Sequence, residues 1–370
     1  VVRVILTGGG TGGHIYPALA IAKGLLARDA KTEILYVGIR DGMEAHLVPE
    51  AGIKFAGISG KGLPRKLSLD TIKVIGKSVK ALWETKKLLQ QFHPDLVVGT
   101  GGFVSGPVVL TAAFFKIPTL LHEQNALPGI TNRILARVVR RVMVTFPESM
   151  ERFGVKNKLE LVGLPVRPEI GHVSRKVGAT NFKLRSDRLT LLVTGGSRGA
   201  RSLNQAMIEV LEQLAKRSDI QVIWATGTTT YTETLEALKK RGISWERPEW
   251  RIQEYLKDMP EALACADIFI GRAGAASLAE LMIAGIPSLL IPYPYAAENH
   301  QEHNAQALVQ GGAANMILDS ELDGQRLWKE VEELISQPSL LTKMGAAAAA
   351  LAQPQALDKI VDLCKATAWH

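Results

Sequence analysis

Twice along this chain a short apolar run ends in Thr-Gly-Gly and gives way to a helical pattern. Ile5-Leu6-Thr7-Gly8-Gly9-Gly10 does so near one end, and Leu191-Leu192-Val193-Thr194-Gly195-Gly196-Ser197-Arg198-Gly199 does so past the middle. Strand, glycine turn and helix in that order open a parallel α/β sheet, because parallel strands need a long crossover and the helix supplies it. Two such openings in 370 residues exceed what one core comfortably organises. The expected fold is α/β, two Rossmann-like domains facing across a cleft.

The alternation between the openings agrees. β-rich runs at Val2 to Thr7, Ile34 to Gly38, Ile53 to Ile58, Asp95 to Gly99, Pro118 to His122 and Arg141 to Thr145 have helical patterns between several of them. Gly163-Leu164-Pro165-Val166-Arg167-Pro168 then punctuates the chain with two prolines and is the expected hinge. This places an N-terminal domain at 1–165 and a C-terminal one at 166–345. An Ala-rich helical tail at 346–370, broken at Pro354, is expected to be able to pack back on the first domain.

Three turns invite an anion. Gly8 to His14 follows a strand and precedes a helix from Tyr16 to Leu26, so backbone N–H groups and the helix dipole converge there. Gly99 to Pro107 is a second glycine loop at a strand's C-terminal end, where such sheets bind ligands. Gly9, Gly10, Gly101, Gly102 and Ser105 are the candidate phosphate-binding residues of these two loops, although tight turns alone would read the same. Gly8, Gly10 and Gly13 also fit a dinucleotide fingerprint, but the strand Ile34 to Gly38 does not end in the carboxylate that a ribose requires, and Asp41 comes late. That weakness counts against an NAD-dependent oxidoreductase. The third turn is Gly271-Arg272-Ala273-Gly274-Ala275-Ala276-Ser277, from which a short helix carries Glu280 one turn past Ser277. A helix N-terminus beside a carboxylate suits a diphosphate and ribose hydroxyls. An ordinary turn with a solvated Glu280 is the alternative.

Charge is asymmetric. Residues 1–165 hold 22 Lys and Arg against 12 Asp and Glu, net +10, and the remainder hold 22 against 24, net −2. The first half should meet something anionic. Between Leu69 and Phe92, Ile72, Ile75, Val79, Leu82 and Leu89 recur at helical steps beside Trp83, with Lys73, Lys77, Lys80 and Lys87 interleaved. Such a stripe either faces the core or lies on an anionic membrane. The longest nearly apolar run, Gly106 to Phe115, falls short of the roughly 20 residues of a spanning helix, and the chain starts as a strand, not as a signal peptide. The two cysteines, Cys265 and Cys364, form no metal-ligand pattern and fit a reducing cytosol.

These motifs, together with His122-Glu123-Gln124-Asn125 and the region from Arg272 to Gln301, closely resemble the MurG family, peripheral-membrane N-acetylglucosaminyltransferases of bacterial peptidoglycan synthesis. The resemblance covers nearly the whole chain with motifs in the same order. It implies the GT-B fold and transfer of GlcNAc from UDP-GlcNAc to the 4-hydroxyl of the muramyl sugar in lipid-linked MurNAc-pentapeptide. It also implies donor contacts. Glu280 matches the ribose carboxylate; Ala275, Ala276 and Ser277 match the turn around diphosphate and sugar; Ser197 and Arg167 match phosphate-side contacts. Leu256 matches the position whose backbone holds uracil, Gln301 and Asn125 the readers of the sugar hydroxyls, and Thr11, Gly12 and Gly13 a border to the sugar. His300 stands where some members carry Gln.

Inverting transfer needs a base, and His14, with an ordinary pKa of about 6.5, suits that task. Capping the next helix or bonding a phosphate is its alternative role; Glu123 is a second candidate base. Ser277, Ser197 and Arg167 would meet the leaving-group charge. Asp-x-Asp is absent from the sequence, so no metal or other cofactor is expected to be required. Ile75, Val79, Leu82, Trp83, Lys77 and Lys80, with Phe114-Phe115-Lys116, become expected contacts to the anionic cytoplasmic face of the cell membrane, and no nucleic-acid partner is expected. Rival readings are a diacylglycerol or soluble glycosyltransferase, a UDP-GlcNAc epimerase, and a non-catalytic nucleotide-binding or membrane-scaffold protein.

Overall fold

The computed structural model describes residues 1–60 and 69–368, without the side chains of 69–78. It divides into two compact units, Val1–Pro165 with Gln353–His370, and Val166–Ala352.

The first unit is built on a seven-stranded parallel sheet: β1 (Arg3–Thr7), β2 (Glu33–Ile39), β3 (Lys54–Ile58), β4 (Leu96–Gly99), β5 (Thr119–Glu123), β6 (Arg141–Val144) and β7 (Leu159–Leu161), in the order β3-β2-β1-β4-β5-β6-β7. The chain starts in the middle, runs outward to β3, and returns to lay β4 on the other side of β1. The loops after β1 and β4 therefore lie side by side at the point where strand order reverses, the usual ligand position of an open α/β sheet. Alternate residues serve opposite faces, as the period of two requires. Val4, Leu6, Leu96 and Val98 pack with helices Gly12–Arg28 and Ala356–Ala368; Ile5, Val97 and Val142 pack with helices Leu69–Phe92 and Ser105–Phe114. With both faces covered, the strands are continuous apolar runs.

The second unit repeats the plan with β8 (Leu189–Thr194), β9 (Ile220–Ala225), β10 (Trp250–Gln253), β11 (Ile268–Gly271), β12 (Ser288–Leu290) and β13 (Ala314–Met316), ordered β10-β9-β8-β11-β12-β13. Its reversal falls between β8 and β11, so the Gly195 loop and the Arg272 turn are neighbours.

The Ala-rich tail does not begin at residue 346. Helix Pro338–Leu351 stays with the second unit against helix Ala275–Ala284, so closely that a Cβ on Gly345 would come within 2.7 Å of the Gly285 carbonyl oxygen. The break at Pro354 separates it from helix Ala356–Ala368, which closes the first unit. There Gly24 allows the contact: a Cβ on it would meet Leu357 Cδ1 at 2.8 Å and Val361 Cγ2 at 2.9 Å. The boundary therefore lies between Ala352 and Gln353.

Candidate functional site

In the first unit the two glycine loops are fastened to one another. Gly9 N–H donates to the Gly101 carbonyl at 3.3 Å, and a Cβ on Gly102, whose φ is +80°, would stand 2.3 Å from the Gly9 carbonyl oxygen. Gly10 N–H donates to Glu44 Oε2 at 3.3 Å, and Glu44 Oε1 accepts Ile39 N–H at 2.9 Å. Ser105 Oγ accepts Gly101 N–H at 3.2 Å and lies 2.8 Å from the Gly101 carbonyl and 3.1 Å from that of Thr7. The N–H groups of Gly9 and Gly101 and the Ser105 hydroxyl thus bond within the two loops, and that of Gly10 bonds to Glu44; these bonds shape the rim. Gly12 and Gly13, the first residues of their helix, have N–H groups with no intrahelical acceptor and are the donors it leaves for an anion. Thr11, the N-cap residue, is exposed and makes no side-chain cap.

His14 is half-buried beside this rim, and its ring lies against Gly101, where a Cβ would be 2.8 Å from Nδ1. A file of side chains runs inward from it. His14 Nδ1 is 3.1 Å from Gln124 Oε1, Gln124 Nε2 is 2.9 Å from His122 Nδ1 and 3.0 Å from the His122 carbonyl, and His122 Nε2 is 2.9 Å from the Gly163 carbonyl. Burial pushes the pKa of His122 down and keeps its ring neutral.

Glu123, the second candidate base, is placed as a scaffold. It is buried, and its carboxylate is occupied on both sides: Oε1 accepts Asn125 N–H at 3.0 Å and Asn125 Nδ2 at 3.2 Å, and Oε2 accepts Gly129 N–H at 3.1 Å and Asn132 Nδ2 at 2.9 Å. It fixes the loop after β5 and holds Asn125.

In the second unit, helix Ala275–Ala284 starts directly after β11. Its first intrahelical-type bond is Leu278 N–H to the Gly274 carbonyl, 3.0 Å, which leaves the N–H groups of Ala275, Ala276 and Ser277 as orphan donors. One turn on, Glu280 is buried and pairs through Oε1 with Arg167 Nε at 3.2 Å. Burial raises the Glu280 pKa, and the Arg167 guanidinium opposes that rise. Ser197 is exposed in the loop after β8, and Leu256 lies buried shortly after β10. Gln301 Oε1 accepts both Ala273 N–H, 3.1 Å, and Tyr293 N–H, 3.0 Å, so its carboxamide has only the NH2 end left for a ligand. All seven donor-side positions from Ser197 to Gln301 follow the C-terminal ends of β8, β10, β11 and β12.

Three residues had no role in the sequence reading. Arg272 is a structural cation: it donates to the carbonyls of Ile291 and Pro292, each at 3.1 Å, pairs with Asp319, and lies over the Tyr293 ring at 5.6 Å. Glu44 follows β2 near the place of a dinucleotide fold's ribose acid but is turned onto Gly10. An acid within a few residues of that strand was its only signal. Gln124 stood inside the His122-Glu123-Gln124-Asn125 motif with no role of its own.

On helix Leu69–Phe92 the apolar stripe splits. Ala81 and Leu89 enter the core, whereas Val79, Leu82 and Trp83 are exposed, Trp83 by 69%, and so is Lys80. Phe114 and Phe115 are exposed as well, with Lys86 Nζ 6.0 Å from the Phe115 ring. The side chains of Ile75 and Lys77 lie outside the described residues. Among the described residues no helix is long and apolar enough to cross a membrane, and no group of three or more His, Cys, Asp or Glu could hold a metal ion.

Two parallel-sheet Rossmann-like units, with orphan donors and a buried carboxylate at the second reversal point, define a GT-B glycosyltransferase. Residues 4–144 match the glycosyltransferase family 28 N-terminal domain and residues 190–360 its C-terminal domain. The chain is 70% identical over 367 residues, 99% of it and 100% of the relative, to the UDP-N-acetylglucosamine--N-acetylmuramyl-(pentapeptide) pyrophosphoryl-undecaprenol N-acetylglucosamine transferase of Desulfitobacterium hafniense (strain DSM 10664 / DCB-2). It is 50% identical to the transferase of that name from Desulforamulus reducens, covering 97% of each chain. The crystal structure of Acinetobacter baumannii MurG aligns with a TM-score of 0.79 at 30% identity, covering 99% of this chain and 100% of that one. The chain belongs to the MurG family of glycosyltransferases.

Proposed function

We propose that this chain transfers N-acetylglucosamine from UDP-N-acetylglucosamine to the 4-hydroxyl of the muramyl sugar in undecaprenyl-pyrophosphoryl-MurNAc-pentapeptide, lipid I, giving lipid II. The observation that carries this reading is the 70% identity, end to end, with a transferase of that name. In the second unit, Glu280 accepts the ribose hydroxyls, the N–H groups of Ala275 to Ser277 meet the diphosphate with Ser197 and Arg167, and the Leu256 backbone meets uracil. The free amide end of Gln301 donates to a sugar hydroxyl; in the first unit, Asn125 and the Thr11 to Gly13 turn are the residues assigned to the sugar.

His14 is the base. Its Nε2 lone pair takes the proton of the 4-hydroxyl as that oxygen bonds to C1 of GlcNAc. The bond from C1 to the diphosphate oxygen breaks with its electron pair going to UDP, which inverts C1. The charge grows on oxygen next to the N-terminus of helix Ala275–Ala284, whose dipole and N–H groups stabilise it without rearranging.

The protein works as a peripheral protein at the cytoplasmic face of the cell membrane. Val79 and Trp83 are one helical turn apart and exposed together; with Leu82, Lys80, Phe114 and Phe115 they form an apolar and basic patch suited to anionic lipid. Trp83→Ala should release the protein from anionic vesicles at physiological salt while sparing UDP affinity, and unchanged vesicle binding refutes this patch.

Labelled UDP-GlcNAc incubated with lipid I, with diacylglycerol or with no acceptor tests the reaction. Label should pass to lipid I alone and drop by about 10²- to 10⁴-fold in His14→Ala. Transfer to diacylglycerol, or a new sugar nucleotide formed without acceptor, overturns it.

A further inference from the structure

Four hydrogen bonds connect His14 to the main chain of β5 and of the segment after β7, and their directions follow from which atoms cannot donate. A backbone carbonyl only accepts, so His122 Nε2, 2.9 Å from the Gly163 carbonyl, carries a proton. The buried ring is neutral, so its Nδ1 is bare and accepts. The Gln124 carboxamide is oriented by the same rule. The group 3.0 Å from the His122 carbonyl must be the NH2, which also donates to His122 Nδ1. Its Oε1 therefore faces His14, and an amide oxygen only accepts. His14 Nδ1 must donate to it, 3.1 Å away.

We propose that Gln124 and His122 are positioning residues for the transfer reaction: anchored on the carbonyls of Gly163 and His122, they hold neutral His14 with its proton on Nδ1 and its lone pair on Nε2. This rests on the reading of His14 as base. Without the file, a neutral imidazole distributes its proton between both nitrogens, and the molecules protonated on Nε2 cannot take the acceptor's proton there. The file also aims the ring, whose other side is closed by Gly101. Because the Gln124 oxygen cannot take the Nδ1 proton in exchange, nothing passes inward along the file. The proton gained on Nε2 leaves from Nε2 to water or product. An imidazolium at His14 still donates from Nδ1 to the same amide dipole, so charging does not break the contact.

The titratable groups near His14 are few. His122 lies one amide away; Glu44 is bound to Gly10 and Ile39; Glu123 is bound to Asn125, Gly129 and Asn132; the Tyr36 hydroxyl donates to the Gly8 carbonyl at 2.8 Å; and Tyr16 is on the same helix. Among the described residues none of these bonds directly to the His14 ring, which leaves Gln124 as its side-chain partner.

The test is the nitrogen-15 spectrum of the histidine-labelled protein at alkaline pH, where a neutral imidazole is observed, with His14→Ala assigning the signal. Wild type should show a protonated Nδ1 and a bare Nε2. In Gln124→Met the signal should move to a mixture of tautomers, with kcat about 10- to 100-fold lower and the UDP-GlcNAc KM within about twofold. Gln124→Glu keeps an acceptor but adds a negative charge, so the acid limb of the kcat/KM profile should move to higher pH. A wild-type His14 protonated on Nε2, or a Gln124→Met protein with unchanged spectrum and kcat, overturns the proposal. Undiminished turnover in His14→Ala sinks the base reading instead, and the wild-type spectrum still decides the tautomer.

Discussion

Replacing Glu123 by Gln separates a scaffold from a base. The carboxylate accepts four N–H groups, two on each oxygen, between 2.9 and 3.2 Å. Gln has the same shape, but whichever way it turns, its NH2 faces two of those donors. Two bonds to a charged acceptor are lost, each contributing about 1.5–3 kcal/mol, so the loop after β5 should loosen by roughly 3–6 kcal/mol. At about 1.4 kcal/mol per tenfold, hydrogen exchange at the Asn125 and Gly129 amides should accelerate by about 10²- to 10⁴-fold where exchange proceeds through local opening. Mass-spectrometric exchange on wild type and Glu123→Gln measures this directly. Unchanged exchange, combined with a lower kcat and a lost limb in the pH profile, would refute the scaffold argument and return Glu123 to the chemistry.

Two further outcomes follow from the same geometry. Gly101→Ala puts a Cβ at φ +107°, 2.8 Å from His14 Nδ1 and 2.9 Å from Cε1, so the ring must move; kcat should fall about 10- to 100-fold with UDP affinity unchanged, and a wild-type kcat would show the ring is not held there. Since burial raises the Glu280 pKa, the carboxylate starts to protonate at a higher pH than an exposed one. Its acceptor capacity is complete above that value and lost as pH falls through it. Calorimetric UDP affinity should therefore weaken on acidification already above the usual carboxylate range, earlier still in Arg167→Ala, whose cation opposes the shift, and the pH break should vanish in Glu280→Gln. A pH-independent affinity in wild type would remove Glu280 from the ribose.

The α/β frame was legible because its signals are local. Apolar runs that end in glycine mark parallel strands meeting helices, and the helix read from Leu69 to Phe92 has those bounds in the structure. The site was legible where chain order carries the chemistry: Ala275 to Ser277 are orphan donors because they begin a helix, and Glu280 is one turn away on the same helix. It was not legible where a side chain's partners come from distant segments. Nothing near Gly10 announces that Glu44 will take its N–H, and nothing in His122-Glu123-Gln124-Asn125 says that Glu123 will be consumed by Gly129 and Asn132 while Gln124 reaches His14. The split tail failed for a similar reason. Its alanines suit either unit, and only Gly345 against Gly285, and Gly24 against Leu357 and Val361, decide where each half goes.

That last arrangement sets an order of maturation on the ribosome. The second unit ends at Ala352 and is complete in sequence before the first one, whose sheet still lacks Ile360, Val361 and Cys364 over Val4, Leu25 and their neighbours. The first unit therefore keeps one apolar flank uncovered until helix Ala356–Ala368 has been made. A nascent chain stalled just short of it would carry a second unit complete in sequence beside a first unit with that flank unsealed.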